Sequence, residues 1–420
     1  MSSVLDTYAR KAISFTQGKG SYLFAENGDK YLDFVQGIAT NVLGHCHEHL
    51  VKTIQEQSQK LWHVSNAFVI PDQERLAKRL TDYTFADFVC FQNSGTEATE
   101  VSLKLMRLYG ESIGKRRRGI ICFEGNWHGR TMGAQLMSSN EEQKKWIGFT
   151  DPDIHHLSFP YPWGNEFIDE PDKEFRKNID ELVKEKNIDP KIDLCGIMLE
   201  TFQGWGAIFY PKKFIQEVEK FARENELLLA FDEIQSGFGR TGELFGYMHY
   251  DVAPDLICCG KGISSSLPLA TVLGPAWIMD LPETGSMSST HSGNPLACAA
   301  GLANLRVIIE ENLVERSRDL GRLLHLRLNR IKEQYPNHIG WSQGKGLLGA
   351  LIAIPIGTER ATSLCNKISE LCYQRGLLVV NTGREAIKIG PPLIIPKDAL
   401  IEGIDVLESA IHDVINSEIK

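Results

Sequence analysis

Asp232 closes the apolar run Leu227–Phe231, and Lys261 follows a second one, Leu256–Cys259, inside Gly260-Lys261-Gly262. A carboxylate at the C-terminal end of a buried strand lies on the edge where open α/β sheets hold their ligands. A lysine between two glycines after a buried run fits a cleft better than a surface. There it loses solvation, its pKa falls, and the free amine can attack a carbonyl carbon to form a Schiff base. Taken alone, such a lysine is more often a solvated turn residue.

A third segment completes the set. Phe88–Gln92, then Asn93-Ser94-Gly95-Thr96, then apolar positions Ala98, Val101, Leu105 and Leu108 read as strand, small-residue loop and helix start. Free N–H groups at the helix N-terminus, the helix dipole and two hydroxyls converge where a phosphate would sit. Taken alone, Ser94 and Thr96 at a helix start are more often plain helix caps. An anion cup, a strand-end carboxylate and a strand-end amine together match the demands of pyridoxal phosphate (PLP): a phosphate site, a partner for the pyridine nitrogen, and an amine for the aldehyde.

Gly237-Phe238-Gly239-Arg240-Thr241-Gly242 is a formal GxGxxG, but Asp232–Gln235 separate it from its strand. A dinucleotide fold wants the first glycine directly after the strand, so a nicotinamide-dependent dehydrogenase is a distant alternative. The cluster His45-Cys46-His47-Glu48-His49 has metal-ligating residue types, yet a structural turn is expected there and no metal site.

Composition narrows the function classes. At 420 residues, 42% hydrophobic and 24% charged, the chain is an ordinary globular protein with room for a large core. Its net charge of −9 disfavours nucleic acid as a partner. The basic run Lys115–Arg118 reads as a solvated turn. Nine cysteines without a CxxC pair suggest reduced thiols and a cytoplasmic setting. Met1–Lys11 lacks an apolar signal core, and the longest apolar stretch, Leu347–Ile356, falls short of the ~18 residues of a membrane span, so no membrane partner is expected.

These residues need a frame. Apolar runs at Phe88–Gln92, Gly119–Phe123, Leu194–Leu199, Leu227–Phe231, Leu256–Cys259 and Ala270–Leu273 read as buried strands, several separated by helical patterns. Strand alternating with helix predicts an α/β fold with a mainly parallel, doubly covered sheet. After Pro295 long helical stretches (Leu296–Ile309, Leu313–Gln334) precede strands near Leu347–Ala353, Leu377–Asn381 and Ala386–Ile389 and a last helix after Pro396, as in a smaller α+β domain. A hairpin at Ser21–Phe34, turning at Glu26–Asp29, is expected to join it. The resulting division is 1–62 (a segment contributing to the small domain), 63–309 (a large PLP-binding domain) and 310–420 (the small domain).

The chain resembles the class-III, fold-type-I PLP-dependent aminotransferases nearly from end to end. The marks are Ser94-Gly95-Thr96-Glu97-Ala98, His128-Gly129-Arg130-Thr131, the block Asp232–Gly242, Gly260-Lys261-Gly262 and Thr290–Pro295. The resemblance implies that Lys261 holds the PLP aldehyde and later moves the substrate proton, and that Asp232 faces the pyridine nitrogen. It implies further that Gln235 bonds the 3-oxygen and that Ser94, Gly95 and Thr96 hold the phosphate. Trp127 would stack where relatives carry Tyr or Phe, and His128 beside it would also belong to the cofactor site. Thr290 would reach the phosphate of the neighbouring subunit's cofactor in a homodimer with shared active sites.

Arg130 and Glu200 correspond to positions near the substrate, where the arginine takes a carboxylate and the glutamate orients it; a structural ion pair is the alternative. Many relatives read E-P-x-Q-G-E-G, whereas this chain reads Glu200-Thr201-Phe202-Gln203-Gly204-Trp205-Gly206. In those relatives the second glutamate pairs with a C-terminal arginine, and the matching position here is Lys388. Trp205 would wall the substrate pocket, and Lys388 would hold a carboxylate as a point charge. The function so implied is ping-pong transfer of an amino group from an ω-amino acid or diamine-type donor to a 2-oxo acid, pyruvate or 2-oxoglutarate. An amino-acid racemase or epimerase on the same scaffold is the second alternative.

Overall fold

A computed structural model describes residues 3–163, 169–355 and 360–418. Seven strands form the central sheet in the spatial order Phe88–Gln92, Ala270–Gly274, Leu256–Cys259, Leu228–Asp232, Leu194–Glu200, Gly119–Phe123, Ile154–Leu157. Only the pairs made by Ala270–Gly274 are antiparallel, so the other strands run one way and their C-terminal ends share one edge.

The apolar runs follow from burial on both faces. Along Leu228–Asp232, Leu228 and Ala230 join a cluster with Ala98, Leu105 and Met106 of the helix Gly95–Ser112. Leu229 and Phe231 join the opposite cluster with Phe175 and Phe214 of the helices Pro171–Lys186 and Lys212–Glu224. Each buried leucine, methionine or phenylalanine among them contributes about 1.5–3 kcal/mol. The edge strand Ile154–Leu157 was not expected, because His155 and His156 interrupt its apolar character.

Beyond the helix Pro295–Glu310, the helix Leu313–Gln334 packs on an antiparallel sheet of Ile339–Lys345, Leu348–Ala353, Ala386–Ile389 and Val380–Asn381. Ile356, the end of the long apolar stretch, lies outside the described residues. The N-terminal strands Phe15–Lys19, Tyr22–Ala25 and Lys30–Asp33 form a second antiparallel sheet, to which Leu377–Leu378 adds in parallel. The single strand expected over Leu377–Asn381 is therefore two strands in two sheets. An unbroken apolar run does not reveal a change of pairing partner.

The basic run is corrected too. Lys115 is buried, and its Nζ donates to the carbonyls of Lys191 (2.6 Å) and Asn225 (2.7 Å), the latter at a helix C-terminus, where carbonyls lack intrahelical partners. Arg116 forks onto Asp193 at 2.7 and 2.6 Å, and Arg117 pairs with Asp153. The run ties elements together instead of facing solvent alone. His45 of the histidine-rich turn bonds Asp33 through Nε2 at 2.8 Å, and the turn leads into the helix Glu48–Ser58. Among the described residues no helix is long and apolar enough to cross a membrane.

Candidate active site

Three neighbouring strands bring the central residues together. Asp232 stands in register with Glu200 on one side and Cys258 on the other, and Lys261 lies just past Cys259. Lys261 has a left-handed backbone (φ 37°), a conformation that costs about 1–3 kcal/mol unless its surroundings enforce it. They do so here. Asn304 Nδ2 donates to the carbonyls of Gly262 (2.8 Å) and Ile263 (3.0 Å), and Ser265 Oγ accepts the Leu43 N–H at 2.9 Å. Burial lowers the Lys261 pKa, while the carboxylates of Asp232 and Glu200 oppose the shift. No hydrogen bond engages its Nζ among the described residues.

Asp232 is held at both oxygens. Oδ2 lies 2.9 Å from His128 Nδ1, and Oδ1 accepts the Ile234 N–H at 3.0 Å. His128 in turn donates its backbone N–H to Ser138 Oγ (2.8 Å), and its Nε2 is buried without a partner. Glu200 Oε2 accepts the Trp127 N–H at 3.0 Å, and burial, helped by the charge of Asp232, pushes its pKa up to about 8. Glu200 and Arg130 form no ion pair. The Arg130 guanidinium instead lies 4.6 Å from the ring centroid of Trp127, which is 38% exposed, so the structural-pair alternative is not the arrangement found.

The cup is built at the start of the helix Gly95–Ser112. Ser94 is its N-cap: the Ser94 N–H donates to Glu97 Oε2 (2.8 Å), and the Glu97 N–H donates back to Ser94 Oγ (3.4 Å). The hydroxyl expected on the phosphate is thus spent on the cap, leaving the N–H groups of Gly95 and Thr96 without partners among the described residues. A Cβ on Gly95 would sit 2.8 Å from Ile234 Cδ1, and one on Gly260 would sit 3.5 Å from the Gly95 Cα. The cup therefore touches the loop after Asp232 and the loop before Lys261. Thr96 Oγ1 meets Thr131 Oγ1 at 2.8 Å, and Gly129 (φ +142°) passes so close that a Cβ would lie 2.1 Å from Thr96 Oγ1. The glycine triplet Gly237–Gly242 opens no helix, which removes the phosphate cradle that a dinucleotide site requires.

Lys388 is buried, its Nζ donating to the Gly204 carbonyl (2.5 Å) and to Gln235 Oε1 (3.3 Å); burial and the charge of Lys261 lower its pKa to about 7. Trp205 is buried too, with Nε1 donating to Gln203 Oε1 at 2.7 Å and the Arg384 guanidinium 3.7 Å from its ring centroid. Tyr161 donates its hydroxyl to the same Gln203 oxygen at 2.6 Å. Gln203 stands inside the segment Glu200–Gly206 with nothing in its residue type to announce this role, and Arg384 carries no signal in the sequence. Thr290 is exposed and no hydrogen bond joins it to this cluster among the described residues; its neighbour Ser289 accepts from Asn93 Nδ2 at 2.8 Å.

The donor set fits PLP: two free N–H groups in a cradle that a Cβ would fill, a fixed buried carboxylate, and an unengaged amine. Fold and site together define a fold-type-I PLP enzyme. The chain matches the family model described as aminotransferase class-III over residues 6–411, and it belongs to that family. It is 37% identical to the acetylornithine aminotransferase of Agrobacterium fabrum, across 97% of this chain and 95% of the relative. It is 34% identical to that of Bacillus subtilis, across 99% and 100%. The ornithine aminotransferase of Toxoplasma gondii, whose crystal structure has PLP at partial occupancy in the active site, superposes with a TM-score of 0.88 at 26% identity, covering 100% of this chain and 94% of that one. The protein is an aminotransferase that uses PLP, taking an amino group from a donor and giving it to a 2-oxo acid.

Proposed function

We propose that the donor is an ω-amino acid or diamine-type amine and the acceptor pyruvate or 2-oxoglutarate, in ping-pong turnover. The observation that carries the site assignment is the meeting of Asp232, Glu200 and Lys261 on adjacent strand ends, against the Gly95 cup. Acetylornithine and ornithine, the substrates in the relatives' names, carry an amine remote from a carboxylate and support the donor class.

When bound, PLP supplies an aldehyde for the amine and a ring that draws electrons from the carbon losing its proton. Lys261 provides the amine that holds the aldehyde and then carries the proton at the donor carbon; burial keeps a larger share of it neutral and able to accept. Asp232, aimed by His128, supplies fixed negative charge to the pyridine nitrogen. Gly95 and Thr96 hold the phosphate and Ser94 shapes their turn. Trp127 offers a π-face and Gln235 takes the 3-oxygen. Arg130 is the substrate-carboxylate receptor, with Glu200 and Trp205 lining the pocket; Lys388 is too enclosed by Gly204 and Gln235 to be the first choice for that task.

The working form is a cytoplasmic homodimer in which Thr290 of each chain serves the other's phosphate, and all described cysteines are free, in keeping with a reducing compartment. The domains are 1–62 with 310–420, and 63–309. An amine panel assayed with both oxo acids tests the substrate class: turnover confined to α-amino donors would overturn it. Lys261→Ala should lower turnover at least ~10³-fold and abolish covalent retention of cofactor after borohydride reduction. A retained adduct would remove Lys261 from its role.

A further inference from the structure

We propose that Lys388 is a positioning residue, holding Gln235 by its Oε1 so that the Nε2 amide hydrogens are the ones turned toward the cofactor. This rests on the assignment of Gln235 to the 3-oxygen. A glutamine amide offers an acceptor at one end and donors at the other, and its orientation is decided by what it meets. Lys388 Nζ meets two acceptors, the Gly204 carbonyl and Gln235 Oε1, and as an ammonium it has only donors to give. The oxygen of Gln235 is therefore committed to Lys388, and its nitrogen is left for another acceptor.

The same contacts argue against Lys388 as a carboxylate receptor. It is 3% exposed. Two of its three N–H donors are already taken, and a substrate carboxylate would have to reach the third beside a Trp205 ring fixed by Gln203 and covered by Arg384. Loss of one proton from the ammonium leaves two N–H groups, enough to keep both bonds. The geometry thus survives on either side of neutrality, where burial brings this lysine's titration.

The test strips cofactor from the full chain and titrates PLP back into the parent, Lys388→Met, Gln235→Leu and the double variant. Dissociation constant and bound-cofactor absorbance are read, with the melting temperature of the stripped chain as a folding check. Lys388→Met should weaken PLP about tenfold and shift the absorbance. Gln235→Leu should do the same, and the double variant should differ from Gln235→Leu by less than about twofold, since the two residues act in series. The KM for either oxo acid should move less than about threefold in Lys388→Met. Should that variant fail to fold, Lys388→Gln, which keeps an N–H donor, should give an intermediate shift.

Parental affinity and spectrum in Lys388→Met or Lys388→Gln would overturn the proposal while leaving the Gln235 assignment standing, as would additive effects in the double variant. A tenfold rise in oxo-acid KM with a parental spectrum would make Lys388 a receptor instead. A parental spectrum in Gln235→Leu would remove the assignment of Gln235 itself, and the proposal with it.

Discussion

His128 grips Asp232, the carboxylate proposed to face the pyridine nitrogen. Its Nδ1 is on Asp232, its backbone is on Ser138, and its remaining nitrogen is buried and unpartnered, so the ring acts on Asp232 from behind. A hydrogen bond to a charged acceptor is worth about 1.5–3 kcal/mol. His128→Phe, which keeps ring bulk, should therefore lower kcat about 10- to 100-fold with little change in KM, as measured in steady state. Glu200 adds a pH dependence. Its folded pKa of about 8 lies above the unfolded carboxylate value of 4.5, so between those limits the folded chain binds more protons than the unfolded one. That difference makes stability fall as pH rises through this window, with no further loss from this group above it. Glu200→Gln removes the titration, and its melting temperature should depend less steeply on pH from 5 to 8 than the parent's; parallel curves would refute the assignment.

Three loops from different elements meet at Gly95, Ile234 and Gly260, and the site depends on their spacing. An alanine at 95 would press on Ile234 Cδ1, the far end of a flexible side chain, while improving the first helical position. Gly95→Ala should thus melt within a few degrees of the parent yet bind PLP about tenfold more weakly, and adding Ile234→Ala, which deletes Cδ1 together with the Cγ2 and Cγ1 atoms that lie 3.0 and 3.2 Å from the new Cβ, should restore most of the affinity. Gly129→Ala differs, because its Cβ would meet Thr96 Oγ1 at 2.1 Å on a left-handed backbone. About 1–3 kcal/mol of stability should be lost there, read from denaturant unfolding. At this scale the sequence was most legible: buried strands announce themselves as apolar runs ending in chemistry, as at Asp232 and Lys261. What escaped it was pairing. Ile154–Leu157 hides behind two histidines, Leu377–Asn381 changes sheets midway, and Lys115 looked solvated because the carbonyls that receive it come from distant turns. Likewise Ser94 favours a cap by type, and the reciprocal bonds with Glu97 commit it to that role.

For the whole molecule, the segment between the helices Glu48–Ser58 and Pro71–Asp82 exposes Leu61, Trp62, Phe68 and Val69 together, far more apolar surface than an isolated loop needs. This segment is attached to the stretch that carries Thr290. His63 and His291 bring their rings to 5.0 Å, and Asn66 Nδ2 donates to the Ser292 carbonyl at 3.0 Å. If a second copy covers the apolar residues, it is also brought up to Thr290, so assembly and cofactor binding should fail together. On the proposed homodimer, Trp62→Glu with Phe68→Glu should sediment at the mass of one chain and the parent at twice that, and the variant should bind PLP at least tenfold more weakly. Thr290→Ala should leave the dimer intact and weaken PLP alone, because it removes one hydroxyl without touching the apolar surface. A charged double variant that is monomeric but keeps parental PLP affinity would show each chain to be complete by itself and would take Thr290 out of the site.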